Sequence, residues 1–317
     1  MRNRCFASYA WSVLAYNVLV ILYGVFVRAT GSGAGCGNRW PLCNGIVVPR
    51  SPQFETAVEF GHRLTSALGL VLIVVLVVWG FRLYGKGHPI RGSLLASLLF
   101  ILTEALIGAG LVLLGLVTDN DSVARALSIA LHLVNTFLLL AALTFTAWWA
   151  SGGAPARFRS QGLAGVGWWL GLTGTLVLGM SGAVTALGDT LFPAQSLAEG
   201  LHQDVSLGAH FLIHLRFWHP FIAISVGLYL VLLARTITAL SPGRTTTRLS
   251  QALMTLVIVQ IVAGAINAAL LAPTWMQLVH LFLASAVWIT LILLGLSAFA
   301  VEAPQTDTAG AMAEAAA

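Results

Sequence analysis

The chain has 317 residues, 58% of them hydrophobic and 9% charged, with a formal net charge of +5 and a mean hydropathy of +0.89. A soluble domain carries about 25% charged residues, so a water-soluble enzyme is excluded. The basic excess is read as membrane topology and not as a nucleic-acid surface.

A membrane span needs about 20 apolar residues, and eight stretches qualify: Tyr9–Val27, Glu59–Phe81, Ser93–Val117, Val123–Ala150, Leu163–Leu187, Leu207–Ala234, Ser250–Leu271 and Thr274–Val301. The expectation is an all-α integral membrane protein with eight transmembrane helices. The first stretch follows Arg2 and Arg4, as a signal peptide would. Its apolar run is too long for a signal-peptide core and no small-residue cleavage site follows, so it is expected to stay as a helix. Arg2, Arg4, Arg82, Lys86, Arg91, Arg157, Arg159, Arg235, Arg244 and Arg248 fall at alternate span ends; Arg28, Arg39, Arg50 and Arg125 fall at the opposite ends. The positive-inside rule then puts both termini in the cytoplasm.

Cys36 and Cys43 share the first outward loop, a glycine-rich run from Thr30, where an oxidising compartment permits a disulfide. Their spacing matches neither a zinc site nor a c-type haem motif. A structural bridge and a redox-active pair both remain open. Cys5, near the cytoplasmic end, is expected to be a free thiol.

The second span opens on Glu59-Phe60-Gly61-His62-Arg63. On a helix Glu59 and His62 share a face. They read either as polar helix-end groups meeting water or as functional groups, because ionisable residues inside a membrane are costly to bury. The third span carries Glu104 in mid-course, near Gly108 and Gly110, as a buried structural acid or part of a proton path. The turn Asp119-Asn120-Asp121-Ser122 can cap the fourth span, which presents His132. The inward loop Ser151 to Gln161 joins two halves. The fifth span leads to an outward loop with Asp189, Glu199, His202 and Asp204. The sixth holds His210, His214, Arg216 and His219-Pro220, where the proline should bend the helix or open its backbone. The spacing of His210 and His214 suits a metal, but no third ligand is evident, so both read as interfacial or propionate-facing. The seventh is polar inside only at Gln260 and Asn267, and the eighth brings His280. Residues 302–317, Ala-rich and mildly acidic, are expected to form a disordered cytoplasmic tail.

An internal repeat is visible. His62 matches His219, His132 matches His280, and Glu104-Ala-Leu-Ile-Gly108-Ala109 lies over Gln260-Ile-Val-Ala-Gly264-Ala265. Two four-helix halves follow, residues 1–155 and 156–301, as parallel repeats about an axis along the membrane normal. All four histidines enter even-numbered spans from the outer side. Imidazoles facing one another across a bundle core are how b-type haem is held, so one haem per half is expected. Arg63 and Arg216 stand where propionates could be neutralised. Glu59 precedes His62 where Arg216 precedes His219, so one site has a carboxylate beside it and the other a cation.

These residues together resemble the haem A synthase family, which converts haem O to haem A for terminal oxidases. The likeness rests on Glu59-x-x-His62-Arg63, the Cys36/Cys43 loop, His132-Leu-Val-Asn135, Leu215-Arg216-x-x-His219-Pro220 and Gln277-x-x-His280-Leu281. It implies a bacterial cytoplasmic-membrane oxidoreductase that oxidises the C8 methyl of haem O to a formyl group by successive hydroxylations. The N-terminal half would hold substrate haem O through His62 and His132. The C-terminal half would hold haem b through His219 and His280. Glu59 would be the catalytic carboxylate, and Cys36/Cys43 a functional or stabilising pair. Some family members carry a second cysteine pair in the loop after the fifth helix; here that loop has none. If both His62 and His132 ligate the iron, either one dissociates to admit oxygen or water attacks an oxidised porphyrin, with Glu59 taking the proton or stabilising the charge.

The implied partners are haem O and haem A, membrane lipid, an electron acceptor and the haem O synthase that would hand over substrate; a homo-oligomer is compatible. A dihaem b-type electron-transfer subunit would need the same four histidines but gives Glu59 and the cysteine loop no purpose. A haem carrier would hold one exchangeable haem and leave the porphyrin unmodified.

Overall fold

The computed structural model describes residues 2–158 and 161–301. Arg159 of the loop between α4 and α5 and the tail 302–317 lie outside the described residues. Among the described residues nine α-helices follow in order: α1 Arg2–Ala29, α2 Phe54–Leu83, α3 Ile90–Leu113, α4 Val123–Ala150, α5 Gly162–Leu191, α6 Leu197–Val205, α7 Phe211–Leu240, α8 Arg244–Ala269 and α9 Thr274–Ala298. All but α6 are long and apolar enough to cross a membrane, eight in total. The protein is a multi-pass helical membrane protein. Lipid supplies no hydrogen bonds, so helices that satisfy their own backbone are what such a sequence can form.

The helices pack in two similar cycles. α1 touches α2 and α4, and α3 touches α2 and α4; likewise α7 touches α5 and α8, and α9 touches α8 and α5. α4 also packs on α5 and α9, and α1 on α9. This pattern is compatible with two four-helix repeats. α4 lies at the seam, and half of its span (50%) is enclosed, against 17% for α3 and α8. Phe137, Leu139, Leu140 and Leu143 of α4 are buried in the same core cluster as Trp288, Leu291 and Leu294 of α9. The Phe137 and Trp288 rings stack at 5.2 Å, and Trp288 Nε1 donates to the Phe137 carbonyl at 2.7 Å. A buried indole N–H needs such an acceptor.

Three local features bear on the sequence reading. Ser122 does cap α4, its side chain accepting from the Arg125 N–H. Pro220 interrupts neither the extent nor the continuity of α7, which runs on to Leu240. The loop after α5 contains a helix, α6, that hydropathy does not reveal, because nine residues are too few to span. Its signal is a capping box: Ser196 Oγ accepts from the Glu199 N–H at 3.2 Å, and the Glu199 carboxylate reaches back to the Gln195 N–H at 2.8 Å.

Candidate functional site

The four histidines share one construction. His62 on α2 lies over Gly24 of α1, where an added Cβ would stand 3.2 Å from the ring Cε1. His219 on α7 lies over Gly182 of α5, and His280 on α9 over Gly264 of α8, each with a corresponding distance of 3.0 Å. His132 on α4 faces Gly108 of α3 less tightly, at 3.9 Å. Each imidazole therefore rests on the backbone of a neighbouring helix where a side chain is missing. His62 and His132 stand on α2 and α4, and His219 and His280 on α7 and α9. This placement is compatible with one histidine pair in each cycle of helices.

Nδ1 of His62, His132 and His280 is buried with no hydrogen-bond partner, whereas His219 Nδ1 meets Ser181 Oγ at 2.9 Å. Buried polar atoms are seldom left unpaired, and a pair of partly unpaired imidazoles cradled on glycine fits a bis-histidine haem site. Gln260 Nε2 lies 3.2 Å from His280 Nε2.

Glu59 sits on α2 one turn before His62 and is 3% exposed. Its Oε2 accepts from the Cys36 N–H at 2.7 Å. Its Oε1 accepts from Arg63 Nη2 at 2.5 Å and Nε at 3.1 Å. Arg63 Nη1 donates in turn to the carbonyls of Arg39 at 2.8 Å and Leu42 at 2.9 Å. Cys36 and Cys43 are joined in a disulfide with Cα atoms 4.3 Å apart. Gly35 lets the loop lie on α2, since a Cβ there would stand 2.3 Å from the Glu55 backbone. Glu59, Arg63 and the bridged loop form one clasp over the N-terminal part of α2.

Arg216 forms a second clasp. Its Nε donates to Asp204 Oδ1 of α6 at 2.7 Å, and its Nη1 to Asp189 Oδ1 of α5 at 3.1 Å. The sequence contrast of a carboxylate beside His62 and a cation before His219 is thereby levelled: α2 and α7 each carry an acid–arginine pair near their N-termini. Asp189 and Asp204 were visible in the sequence, but nothing in their spacing ties them to Arg216. Both arginines expected near propionates have protein acceptors on the atoms named.

Arg28, read from the sequence only as a topology marker, links the two groups of helices. Its Nη1 donates to the Ala186 carbonyl and to Thr190 Oγ1, both at 2.6 Å, and its Nη2 to Gln277 Oε1 at 2.6 Å. His210 stands at the N-cap of α7, accepting from the Leu212 N–H at 3.4 Å, with Asp121 Oδ2 3.5 Å away. Cys5 is free and exposed.

Comparison with known proteins fits this arrangement. Residues 7–292 match the family model COX15-CtaA, described as cytochrome oxidase assembly protein. A Thermus thermophilus protein named Protoheme IX farnesyltransferase is 54% identical over 292 residues, covering 92% of this chain but 48% of its own length. The chain thus spans about half the length of that relative. A protein named Heme A synthase from Halalkalibacterium halodurans is 34% identical over 128 residues, 40% of this chain and 42% of its own. Another of that name from Alkalihalophilus pseudofirmus is 38% identical over 98 residues, 31% of this chain and 33% of its own. With the family model matching nearly the whole described chain, this protein belongs to the COX15-CtaA family, the haem A synthase family.

Proposed function

We propose that the chain is a haem A synthase of a bacterial cytoplasmic membrane, with both termini in the cytoplasm, that oxidises the C8 methyl of haem O to a formyl group. The observation that carries this reading is the repeated histidine-on-glycine cradle, twice in each cycle of helices. In it the N-terminal half, 1–155, takes haem O between His62 and His132. The C-terminal half, 156–301, holds haem b between His219 and His280. Haem b, when bound, supplies a one-electron carrier on the way to a membrane electron acceptor.

The overall change, R–CH3 + H2O → R–CHO + 4 H⁺ + 4 e⁻, passes through two hydroxylations, the geminal diol losing water. Two histidine ligands leave no open position on the substrate iron, so water is the oxygen source in this reading. Glu59 stands a turn from His62, within the second span. Its two oxygens are held by the Cys36 N–H and the Arg63 guanidinium, which fix the carboxylate in one place. Such a site can stabilise positive charge drawn onto the porphyrin edge and accept the proton from attacking water. The disulfide loop holds that carboxylate in place. Arg63 and Arg216, at the outer ends, are the cations nearest in sequence to the ligands, and propionate contact would add to their present bonds.

The Thermus relative, named for farnesyl transfer to protohaem, contains a region like this chain within a longer protein. That supports a haem O synthase as the neighbour from which the substrate arrives. The test is expression in a host that makes haem O but no haem A, followed by pigment extraction and mass detection. Haem A or its hydroxylated precursor is expected with the wild type and not with Glu59→Ala. Haem B alone in the wild type would refute the enzyme and leave an electron-transfer subunit. Isotope from labelled dioxygen in the trapped hydroxylated intermediate would refute water as the source.

A further inference from the structure

Glu104 is an acid in the middle of an apolar membrane helix, and the structure binds it on every side. Its Oε2 accepts from Asn135 Nδ2 at 2.5 Å and its Oε1 from Thr136 Oγ1 at 2.5 Å. Asn135 is fixed in turn, donating to the Phe100 carbonyl at 2.9 Å and accepting from Thr103 Oγ1 at 2.6 Å. A carboxyl group that accepts at both oxygens is held as an acceptor. The Oε1 atom that takes the Thr136 proton also lies 3.4 Å from His132 Nδ1. That nitrogen is buried and lacks an aligned partner. When a histidine binds iron through Nε2, its proton sits on Nδ1 and needs an acceptor. Glu104 is the acceptor within reach. Helix α3 thus gives His132 its floor, Gly108, and its partner, Glu104, one turn apart.

The other three ligand candidates lack this partner. In repeat register the position of Glu104 is Gln260, a neutral amide, and it meets His280 at Nε2. His219 Nδ1 meets a serine hydroxyl. His62 Nδ1 has no partner among the described residues. Resting on the haem sites proposed above, we propose that Glu104 is a positioning residue for His132: it orients the imidazole through Nδ1 and makes it the more electron-donating ligand. A ligand whose outer N–H faces a carboxylate is more basic and favours the oxidised iron. The substrate haem would therefore hold a lower reduction potential than haem b, and electrons taken from it would run toward the C-terminal half.

The test is a potentiometric titration of the full-length, haem-loaded protein in detergent, followed optically and by low-spin iron resonance. His132→Ala and His280→Ala assign each signal to its site. Glu104→Gln is expected to raise the midpoint of the His132 haem and leave the other in place. Thr136→Val keeps the carboxylate but removes the competing donor on Oε1, so it is expected to lower the same midpoint. A packing role alone does not produce opposite shifts. The proposal is overturned if both variants leave the potential unmoved, shift it in one direction, or move both haems together. Should Glu104→Gln fail to fold, the sign of the Thr136→Val shift decides alone. If His132→Ala leaves both haem signals intact, the underlying assignment of haem to His132 is what has failed.

Discussion

Arg28 Nη2 donates to Gln277 Oε1 at 2.6 Å, joining the C-terminal end of α1 to the first turn of α9, three residues before His280. The Gln277 amide also donates to the Ala272 carbonyl at 2.6 Å, closing a turn in which Leu271 and Ala272 have φ of 60° and 52°. Left-handed backbone at two non-glycine residues is uncommon, so the side-chain bonds that hold this turn matter. Arg28→Ala would remove three hydrogen bonds, although the Ala186 carbonyl keeps the Thr190 hydroxyl, and a hydrogen bond to a charged group contributes about 1.5–3 kcal/mol. The expected result is a lower melting temperature in detergent, with His280-site haem lost before His62-site haem. Scanning fluorimetry and a haem-to-protein ratio would check both.

Substituting the cradle glycines separates tight sites from loose ones. Alanine in a helix interior gains about 1 kcal/mol over glycine, but overpacking costs about 1–3 kcal/mol. At Gly182 and Gly264 the new methyl would meet an imidazole at 3.0 Å, and at Gly108 at 3.9 Å. Gly182→Ala and Gly264→Ala should therefore reduce haem content or broaden the low-spin spectrum. Gly108→Ala should leave both unchanged and raise stability slightly.

Arg63→Lys keeps the positive charge but not the planar fork that reaches a carboxylate and two carbonyls together. Amide exchange in residues 35–44 should accelerate, and the yield of oxidised haem should fall by about 10²-fold, the lower end for loss of a positioned acid–base group. Exchange mass spectrometry and pigment analysis read the two effects independently. Unchanged exchange in the loop would show that the clasp does not depend on Arg63.

Ser196→Ala removes the N-cap of α6 and should cost that helix about 1 kcal/mol. Exchange is expected to rise in residues 197–205 while the haem spectra stay as they are, because Arg216 keeps Asp189 of α5 as a partner.

The sequence showed the eight spans because lipid imposes a length and composition that no single residue can hide. It also singled out His62, His132, His219 and His280, which recur at matching places in even-numbered spans, and in the structure each faces a glycine of a neighbouring helix. Gly24 and Gly182 could not be singled out among 32 glycines. What marks them is a ring arriving from another helix, and that is a tertiary fact. Gly182 lies 37 residues from His219, and no local pattern joins them. The clasp of Arg216 on Asp204 depends on α6, whose signatures, Ser196-x-x-Glu199 and a short helical apolar stripe, are local and weak. Hydropathy passes over such a helix because its apolar face, Leu197, Leu201 and Val205, is diluted by polar neighbours.

Each imidazole has the backbone of a neighbouring helix beneath it, whatever side chains it also meets, and that makes the protein a strain gauge. A side chain in contact can swing to another rotamer when its neighbour moves; a helix axis cannot. The ring planes must therefore follow the spacing of α1 with α2, α3 with α4, α5 with α7 and α8 with α9. In a bilayer that spacing answers to thickness and lateral pressure, at a fraction of a kcal/mol per ångström of mismatch. A change of lipid should thus reach the four rings long before it unfolds any helix.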